Sequence, residues 1–331
     1  MTKMVSVIIV NWNGEKYIKK CIESLLNVKY ENLEIIVIDN DSKDNSIKII
    51  EENFSNKVTL IRNENVGYAG GANKGIDLAK GDYVLIANPD IVFTEEYICK
   101  LVDILEESPE NAASTGKLLK YDFDKDEIIN VIDSTGIRLD HSRHGNDIGQ
   151  NEEDKGQYDK DCRVFGVSGA AALFKKQALE KIKYKDEYFD NDFFAYKEDI
   201  DLSWRLNLYG YKCFYVHDAI AYHGRAMNSS KGILNTIKNR RNQSELLKGI
   251  SFRNHYLMII KNETKYSFNK DKIKIYIDIL KYFTFFILFD WKCLKYTKEI
   301  KNKKNVILEK RKVVLDNIKL SDEEIYKLFD L

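Results

Sequence analysis

This chain of 331 residues has little proline, no paired-cysteine motif and no excess charge of either sign. Its five cysteines are an odd number, and no two are spaced as in a zinc or redox motif, so the sequence predicts a reduced, cytosolic protein. Basic and acidic residues balance at 52 each, which argues against a nucleic-acid binder. The N-terminal segment has a short apolar run without a leader-peptide cleavage site, and it is predicted to be a first strand.

The chain also has no apolar run long enough to cross a bilayer. Its most aromatic segment, 273–296, contains Tyr282–Phe289 as its longest stretch without a charge, which is far too short to span. Residues 261–304 carry twelve lysines and five acids. Lysines and Trp291 around an aromatic run fit a helix on an anionic membrane surface. The alternative is a helical appendage that packs on the rest of the chain or on a second copy in a homodimer.

Four short, nearly continuous apolar runs in the first 110 residues predict strands that are buried on both faces of a parallel sheet. They are Val5–Val10, Leu33–Asp39, Val58–Arg62 and Tyr83–Ala87. Helical patterns separate them, at about 15–27, 44–53, 71–80 and 95–107. This alternation predicts an α/β fold with a doubly wound, mostly parallel sheet, which binds ligands at the carboxyl ends of its strands.

The rest of the chain has weaker patterns. Residues 120–161 are acidic and punctuated by glycine, and we expect a mobile excursion with a small hairpin near GIRLDHSRHGNDIG. Residues 163–179 predict a strand followed by a helix. Residues 195–224 predict a helix, a stop at Gly210 and two strands. From about residue 235 the chain is helical in pattern.

The predicted strand ends are rich in short polar side chains and glycine, reading NWNG, DNDSKD, RNENVGYAGG and NPD. Pro89, in the last of these, is one of only two prolines. Proline fixes its own φ and restricts Asn88 to an extended backbone, so the strand tip that delivers Asp90 is stiff. Glycines at a helix start, as in NVGYAGGANKG, let a phosphate approach the backbone, although many ordinary turns are also rich in glycine.

Three polar positions have both a functional and a structural interpretation. Asp44 in VIDNDSKDNS is placed to cap the next helix. Asp199 in YKEDIDLSWRL lies one turn before Leu202 on the predicted buried side. An acid in the first turn of a helix is often just a cap or a partner of the helix dipole. His223 ends a predicted strand and can be an ordinary core histidine.

Taken in order, these stretches resemble the family 2 glycosyltransferases, which have the GT-A fold. Within that family they are most similar to the rhamnosyltransferase-type enzymes of bacterial surface-polysaccharide assembly. The resemblance covers about residues 4–262. Its motifs are VSVIIVNWNG, VIDNDSKDNS, NVGYAGGANKG, NPD, GAAALFKKQAL, EDIDLSWR and RNHYLMIIKN.

The resemblance implies an inverting hexosyltransferase that moves a sugar from a nucleotide-diphosphate donor to a glycan or lipid-linked glycan. Its first-choice donor is dTDP-L-rhamnose. It implies a GT-A catalytic domain at 1–234, with a nucleotide-binding half at about 1–118 and an acceptor half at about 119–234. A helical C-terminal region at 235–331 would follow. The expected location is the cytoplasm, at the inner face of the membrane if this region binds lipid.

The resemblance also implies roles for individual residues. Asp199 would be the catalytic base, and Asp39 would accept a hydrogen bond from the pyrimidine of the donor. The implied donor-binding residues are Asn11, Asp39, Asn65, Gly71, Asn73, Asn88 and Asp90. The implied acceptor or sugar pocket consists of Gly169, Ala170, Glu198, Trp204 and Arg205. Asp90 and His223 would bind a divalent cation, Mg²⁺ or Mn²⁺.

One motif departs from the family pattern. Most families of this fold have two carboxylates where this chain has Asn-Pro-Asp, and Asn88 offers a hard cation only a neutral amide oxygen. Asp90 is therefore the one anionic ligand that this motif can supply.

Two other functions are alternatives to this one. A dinucleotide-dependent oxidoreductase should have its glycine-rich turn after the first strand, where this chain has NWNGEKY with one glycine. A non-catalytic nucleotide-sugar-binding or membrane-scaffold protein of the same fold would lose the base, whereas Glu198 and Asp199 are both present.

Overall fold

The computed structural model describes residues 3–224 and 244–331. The predicted domain boundary at 234/235 and the residues just after the His223 motif lie outside these ranges. The strands are β1 Val5–Asn11, β2 Leu33–Asn40, β3 Thr59–Asn63, β4 Tyr83–Ala87, β5 Ile91–Phe93, β6 Asn111–Asp122, β7 Glu127–Ser134, β8 Ile137–Leu139, β9 Gly145–Asp147, β10 Cys162–Val164, β11 Ala171–Lys175 and β12 Lys212–His223. The helices are α1 Ile18–Leu26, α2 Ser46–Phe54, α3 Gly67–Leu78, α4 Tyr97–Glu106, α5 Lys176–Ile182, α6 Glu198–Leu208, α7 Glu245–Asn262, α8 Lys265–Phe289, α9 Lys295–Asp316 and α10 Asp322–Lys327.

The predicted parallel sheet is confirmed. Its strand order is β10-β12-β6-β11-β4-β1-β2-β3, with β5 paired to β12 and β7 paired to β6. Strands β3, β2, β1 and β4 run parallel, and β11 pairs antiparallel to β4. The carboxyl ends of the parallel strands therefore meet at one edge, as the sequence pattern requires.

Both faces of this sheet are covered, which explains the continuous apolar runs. Ile8 and Val10 enter a core with α3, α5, α6 and the C-terminal helices. Val7 and Ile9 point the opposite way, into a core with α1, α2 and α4. A strand buried on both faces needs apolar side chains at every position rather than at every second one.

Two regions differ from the sequence expectation. Residues 127–134 form strand β7, antiparallel to β6, where an irregular excursion was expected, although the hairpin of β8 and β9 is confirmed. Strand β7 is half exposed, so its apolar pattern is weak. A single strand, β12, replaces the two strands expected after Gly210. A register shift between Val216 and Ile220 interrupts its pairing with β6, and in the sequence this looks like a break.

Most of the C-terminal region packs on the rest of the chain, which agrees with the helical appendage and not with a membrane-surface helix for this part. Ile307 and Val314 of α9, and Phe329 after α10, share a core with Trp204 of α6. The buried Lys310 ammonium lies 2.5 Å from an Asp190 carboxylate oxygen. These contacts make α9 and α10 part of the same folded unit as the sheet.

Helix α8 is different because it buries only one of its faces. Its buried side includes Ile275 and Phe286. The exposed apolar side chains of α8 are Ile273, Tyr276, Ile277, Leu280, Ile287, Leu288 and Phe289. Across 3–224 and 244–331, no helix combines the length with the apolar character that a bilayer crossing requires.

Candidate functional site

The ends of β1 and β2 hold a buried carboxylate in a defined position. Asp39 is 1% exposed, and its Oδ2 accepts hydrogen bonds from Asn11 Nδ2 at 2.7 Å and from Ser42 Oγ at 2.6 Å. Its Oδ1 accepts the Ser42 backbone N–H at 2.9 Å. A carboxylate offers about four acceptor positions, so one remains on Oδ1 for a further donor. Asp39 and Asn11, both predicted site residues, therefore form one unit.

Three residues meet in a second cluster: Asp90 after β4, Asp133 in β7 and His223 in β12. His223 Nε2 lies 3.4 Å from Asp90 Oδ1, and its Nδ1 lies 2.7 Å from Asp133 Oδ2. Burial opposes a charged imidazole, but Asp90 and Asp133 outweigh it and raise the pKa of His223 to about 9. Histidines that bind metal commonly donate their second ring N–H to a carboxylate. Asp133 occupies that position and directs Nε2 toward Asp90. At a pKa of about 9 the imidazole is charged, so Nε2 has to lose its proton before the two predicted ligands can hold a divalent cation.

A cavity of about 310 Å³ adjoins these strand ends and contains five of the predicted site residues. They are Asn88, Gly169, Ala170, Glu198 and Asp199. The hairpin residues Gly145 to Asp147 form part of the wall. A larger cavity of about 670 Å³ opens near Tyr209 and Lys319, and none of the predicted site residues is among its described lining residues. The smaller cavity is therefore the candidate site.

Two adjacent acids at the start of α6 face this cavity in different environments. Asp199 Oδ2 accepts the Gly169 backbone N–H at 3.2 Å, and its Oδ1 accepts the Ile200 N–H at 2.8 Å. Glu198 is buried, and its Oε2 has no hydrogen-bond partner among the described residues. Burial, together with the charge of Asp199, raises the pKa of Glu198 from 4.5 to about 8. At neutral pH, Glu198 is thus mainly the neutral acid, beside an Asp199 carboxylate that backbone donors hold in place.

The loop that leads to Asp199 has an unusual backbone. Phe194, Tyr196 and Lys197 all have positive φ, at 64°, 70° and 73°. The Ala195 N–H donates to Phe193 O at 2.7 Å around Phe194, which forms a tight γ-turn. Such geometry costs on the order of 1–3 kcal/mol per residue and persists only where surrounding contacts fix it.

Helix α7 supplies those contacts. The Asn254 side-chain amide donates to the carbonyl oxygens of Phe193, Ala195 and Tyr196 at 2.7–2.8 Å. Arg253 Nη2 donates to the Asp192 and Phe193 carbonyl oxygens. Both residues are buried. The RN pair of RNHYLMIIKN is therefore a clamp on the loop that positions Asp199.

The structure corrects two donor-site predictions. Asn73 is buried, and its amide makes four hydrogen bonds to the segment 188–191, so the side chain has no position left for a ribose or phosphate. Gly71 faces the sheet, where an added Cβ would come within 2.8 Å of Val10 Cγ1. Both residues hold α3 in place. Asn65 is exposed beside this helix and accepts the Gly67 N–H at 3.1 Å, and its donor role stays a prediction.

Two acceptor-pocket predictions are also wrong. Trp204 is fully buried and packs edge-on against Phe329 with ring centroids 5.8 Å apart. Arg205 is buried too, and its guanidinium binds Asp201 and the carbonyl oxygens of Ile182 and Tyr188. Both side chains belong to the core, because other parts of the chain cover a side of α6 that the sequence pattern does not mark as buried.

The sequence prediction also missed several residues of the site. Tyr68 lines the cavity and donates its hydroxyl to Gly169 O at 2.5 Å. Burial, with the charges of Glu198, Asp199 and Asp90, raises its pKa well above the usual value. Lys197 also lines the cavity. Tyr68 lies inside the quoted glycine-rich motif, but its spacing alone does not distinguish it from a core aromatic.

We predict that breaking this clamp lowers activity even at temperatures where the variant protein is folded. Asn254→Ala removes the donor to three loop carbonyls, so both the melting temperature and the rate should fall. We expect kcat to drop by about tenfold to a hundredfold at a temperature where the variant is folded, with the donor KM nearly unchanged, because Asp199, the predicted base, is misplaced.

Asn111→Ala is the matched control for this variant. Asn111 is also buried and donates its amide to the Ile104 carbonyl at 2.7 Å, at the start of β6. It should lower the melting temperature without changing kcat. Equal effects of the two variants on kcat would contradict a positioning role for Asn254.

Comparisons with known proteins agree with this geometry. The family described as Glycosyl transferase family 2 matches residues 6–183. The glycosyltransferase GlyG of Streptococcus pneumoniae is 34% identical over 125 residues, which are 37% of this chain and 41% of that protein. The poly-beta-1,6-N-acetyl-D-glucosamine synthase of Staphylococcus aureus is 27% identical over 213 residues, which are 64% of this chain and 47% of that protein. The chain thus spans less than half the length of these two relatives.

Solved structures show the same fold at low sequence identity. A mannosyltransferase from Pyrobaculum calidifontis in complex with GDP-Man and Mn²⁺ has a TM-score of 0.53 and 17% identity, covering 91% of this chain and 74% of that one. GalNAc-T7 with UDP, GalNAc and Mn²⁺ has a TM-score of 0.60 and 15% identity, covering 80% and 50%. The family match extends over more than half of the 331 residues. The chain therefore belongs to glycosyl transferase family 2 and has the GT-A fold.

Proposed function

We propose that this protein is an inverting glycosyltransferase of polysaccharide biosynthesis that uses a nucleotide-diphosphate sugar. The observation that carries the proposal is the placement of Asp199 in a cavity that also contains Asn88. This cavity lies at the sheet edge where Asp39 stands near the end of β2 and Asp90 follows β4. Inverting transfer is a direct displacement at the anomeric carbon, and it needs a base beside the acceptor hydroxyl. The cavity provides that base next to the predicted donor site.

The residues have separate roles in this mechanism. Asp39 would accept a hydrogen bond from the pyrimidine base at its remaining acceptor position. Asp199 would take the proton of the acceptor hydroxyl as the glycosidic bond forms. The neutral Glu198 would donate a hydrogen bond within the cavity. Asp90 and His223 would hold a divalent cation, Mg²⁺ or Mn²⁺, and a cation there would stabilise the negative charge of the leaving diphosphate.

Release of the nucleotide tests the activity directly. Incubation with dTDP- and UDP-sugars and a glycan acceptor should release the nucleoside diphosphate, and the release should depend on Asp199. A non-catalytic protein of the same fold would bind the nucleotide sugar without releasing the nucleotide. We propose dTDP-L-rhamnose as the donor and a glycan or lipid-linked glycan as the acceptor, on the basis of the sequence resemblance. A thermal-shift panel of nucleotide sugars would rank the donors.

We also propose that α8 attaches the protein to an anionic membrane surface. Its exposed apolar residues recur three, four and seven positions apart, on the side opposite the buried Ile275 and Phe286. Lys272 and Lys281 are exposed and flank this stripe, which is the arrangement of a helix that lies in a lipid interface. A lipid-linked acceptor would then be bound where it resides.

This attachment predicts salt-sensitive binding to vesicles. Leu280 and Ile287 are 66% and 64% exposed, so replacing both by Glu should not disturb the core. Intact protein should sediment with anionic vesicles at low salt and be released at high salt. The double variant should bind at least about a hundredfold more weakly, because each buried aliphatic side chain contributes roughly 1.5–3 kcal/mol.

The control variant makes the same type of substitution on another helix. Val306→Glu with Leu308→Glu places two acids on exposed positions of α9 and should leave vesicle binding intact. A cut near residue 265 is not a usable test, because it also removes Ile307 and Phe329 from the core. Protein that stays in the supernatant at low salt would contradict membrane attachment. Dimerisation that the α8 variant abolishes would then identify the stripe as a contact between two copies.

A further inference from the structure

Three side chains from different elements meet behind the wall of the cavity. His144 immediately precedes β9, His255 lies in α7 and Asp278 lies in α8. One potential ligand atom from each lies within 4.8 Å of the others. His144 Nε2 is 2.7 Å from Asp278 Oδ1, and His255 Nε2 is 3.5 Å from Asp278 Oδ2, which is longer than an ordinary hydrogen bond.

This cluster contains buried polar atoms that the fold does not satisfy. Within 3–224 and 244–331, both ring nitrogens of His255 and Oδ2 of Asp278 lack a hydrogen-bond partner. His255 is 1% exposed, so bulk water does not reach it. Each unsatisfied buried polar group costs about 1–3 kcal/mol, and such groups usually indicate a bound water or ion. The two nitrogens of one imidazole point in different directions, so one shared partner can serve His255 Nε2 and Asp278 Oδ2, which lie 3.5 Å apart.

The chemistry of the three side chains suits a metal. His255 is 1% exposed, and its ring nitrogens have no hydrogen-bond partner among the described residues, so one of them can offer a lone pair to an ion. Two imidazoles and one carboxylate form a ligand set of zinc, whereas Mg²⁺ prefers oxygen ligands alone.

We infer that His144, His255 and Asp278 bind a transition-metal ion, with zinc as the best match and water at the remaining position. The two imidazole rings are stacked, with centroids 4.6 Å apart and planes 13° apart, so one ring has to turn for both to reach the same ion. The inference is independent of the proposed sugar transfer. Gly145 follows His144 directly and packs against Ile200, where an added Cβ would come within 2.2 Å of Ile200 Cδ1. An ion at this cluster therefore ties the cavity wall and the start of α6 to helices α7 and α8. Its role is structural.

Metal binding to the full-length protein tests this inference. The Asp90→Ala variant is used throughout, so that the donor-side cation site does not contribute. After dialysis against a chelator, this protein should take up about one equivalent of Zn²⁺ with a rise in melting temperature. Adding Co²⁺ instead should give visible absorption bands of a nitrogen- and oxygen-ligated ion. Equal melting temperatures in Zn²⁺ and in chelator, with no Co²⁺ bands, would overturn the inference and leave an internal water as the partner.

A second pair of variants locates the site. Adding His255→Gln should weaken zinc binding by more than the roughly tenfold to hundredfold loss typical of an outer-shell change. The matched control adds His217→Gln, which alters a second group, Asp161, His217 and Asp218, on the surface. That control should keep its zinc. Loss of zinc in the His217 variant and retention in the His255 variant would place the ion on the surface and overturn the inference.

Discussion

Asp199→Asn should reduce sugar transfer by about a hundredfold to ten-thousandfold, the usual effect of losing a general base. Asparagine keeps the size and polarity of the side chain but cannot take a proton. Its amide oxygen can still accept the Gly169 N–H, which Asp199 Oδ2 accepts at 3.2 Å, so the cavity should keep its shape. Donor affinity, measured by calorimetry on the same variant, should therefore persist while turnover is lost.

Glu198→Gln is the matched control because it makes the same chemical change one residue earlier. With a pKa of about 8, Glu198 is mostly neutral at pH 7, and glutamine resembles that neutral form. The loss at pH 7 should therefore be much smaller than for Asp199→Asn. Near-normal turnover in Asp199→Asn would remove Asp199 from the mechanism. An equal loss in both variants would mean that the two acids share the proton.

The N-terminal part of the sheet could be predicted from local patterns. Strands β1 to β4 are buried on both faces, so their apolar runs are continuous and their ends are marked by polar residues and glycine. The order of strands and helices then places Asn11, Asp39 and Asp90 at one sheet edge without any knowledge of distant contacts. Asp199 and Glu198 could be placed in the site only through the family resemblance.

The failed predictions depended on contacts between distant parts of the chain. The pattern of α6 marks one buried face, but Phe329 and Ile307 come from more than 90 residues later and cover another. Trp204 and Arg205 are core residues for that reason. Asn73 binds the segment 188–191, which also lies far away in sequence. The hydrophobic periodicity of one helix or strand depends on that element alone, so it does not indicate which distant element packs against it.

The loop clamp illustrates the same limit in the functional site. RNHYLMIIKN is one of the motifs of the family resemblance, yet its residue types do not indicate that Asn254 holds three carbonyl oxygens of a strained loop. Positive φ at Phe194, Tyr196 and Lys197 has no signature in the sequence, since none of them is glycine. Strain of this kind becomes visible only when the backbone is known.

Removal of divalent cations should abolish transfer, and Mg²⁺ or Mn²⁺ should restore it. The residues that would hold the ion are Asp90, which is 23% exposed, and His223, whose Nδ1 is fixed by Asp133. Asn88 supplies no charge in this motif, so Asp90 carries most of the electrostatic attraction. Asp90→Ala should therefore weaken binding of the nucleoside diphosphate by at least about tenfold, or ~1.4 kcal/mol. Binding of the bare nucleoside, which lacks the phosphates, should hardly change.

Asp161→Ala is the control for this variant, because Asp161 also pairs with a histidine, His217, at 2.6 Å but on the surface. It should leave both affinities unchanged. Asp133→Asn should weaken metal-dependent diphosphate binding by roughly tenfold to a hundredfold, since it frees the imidazole to rotate. Full activity in excess chelator would contradict the cation requirement. Because Asn-Pro-Asp provides one carboxylate instead of two, the leaving diphosphate would then have to be stabilised by lysines, arginines or helix N-termini.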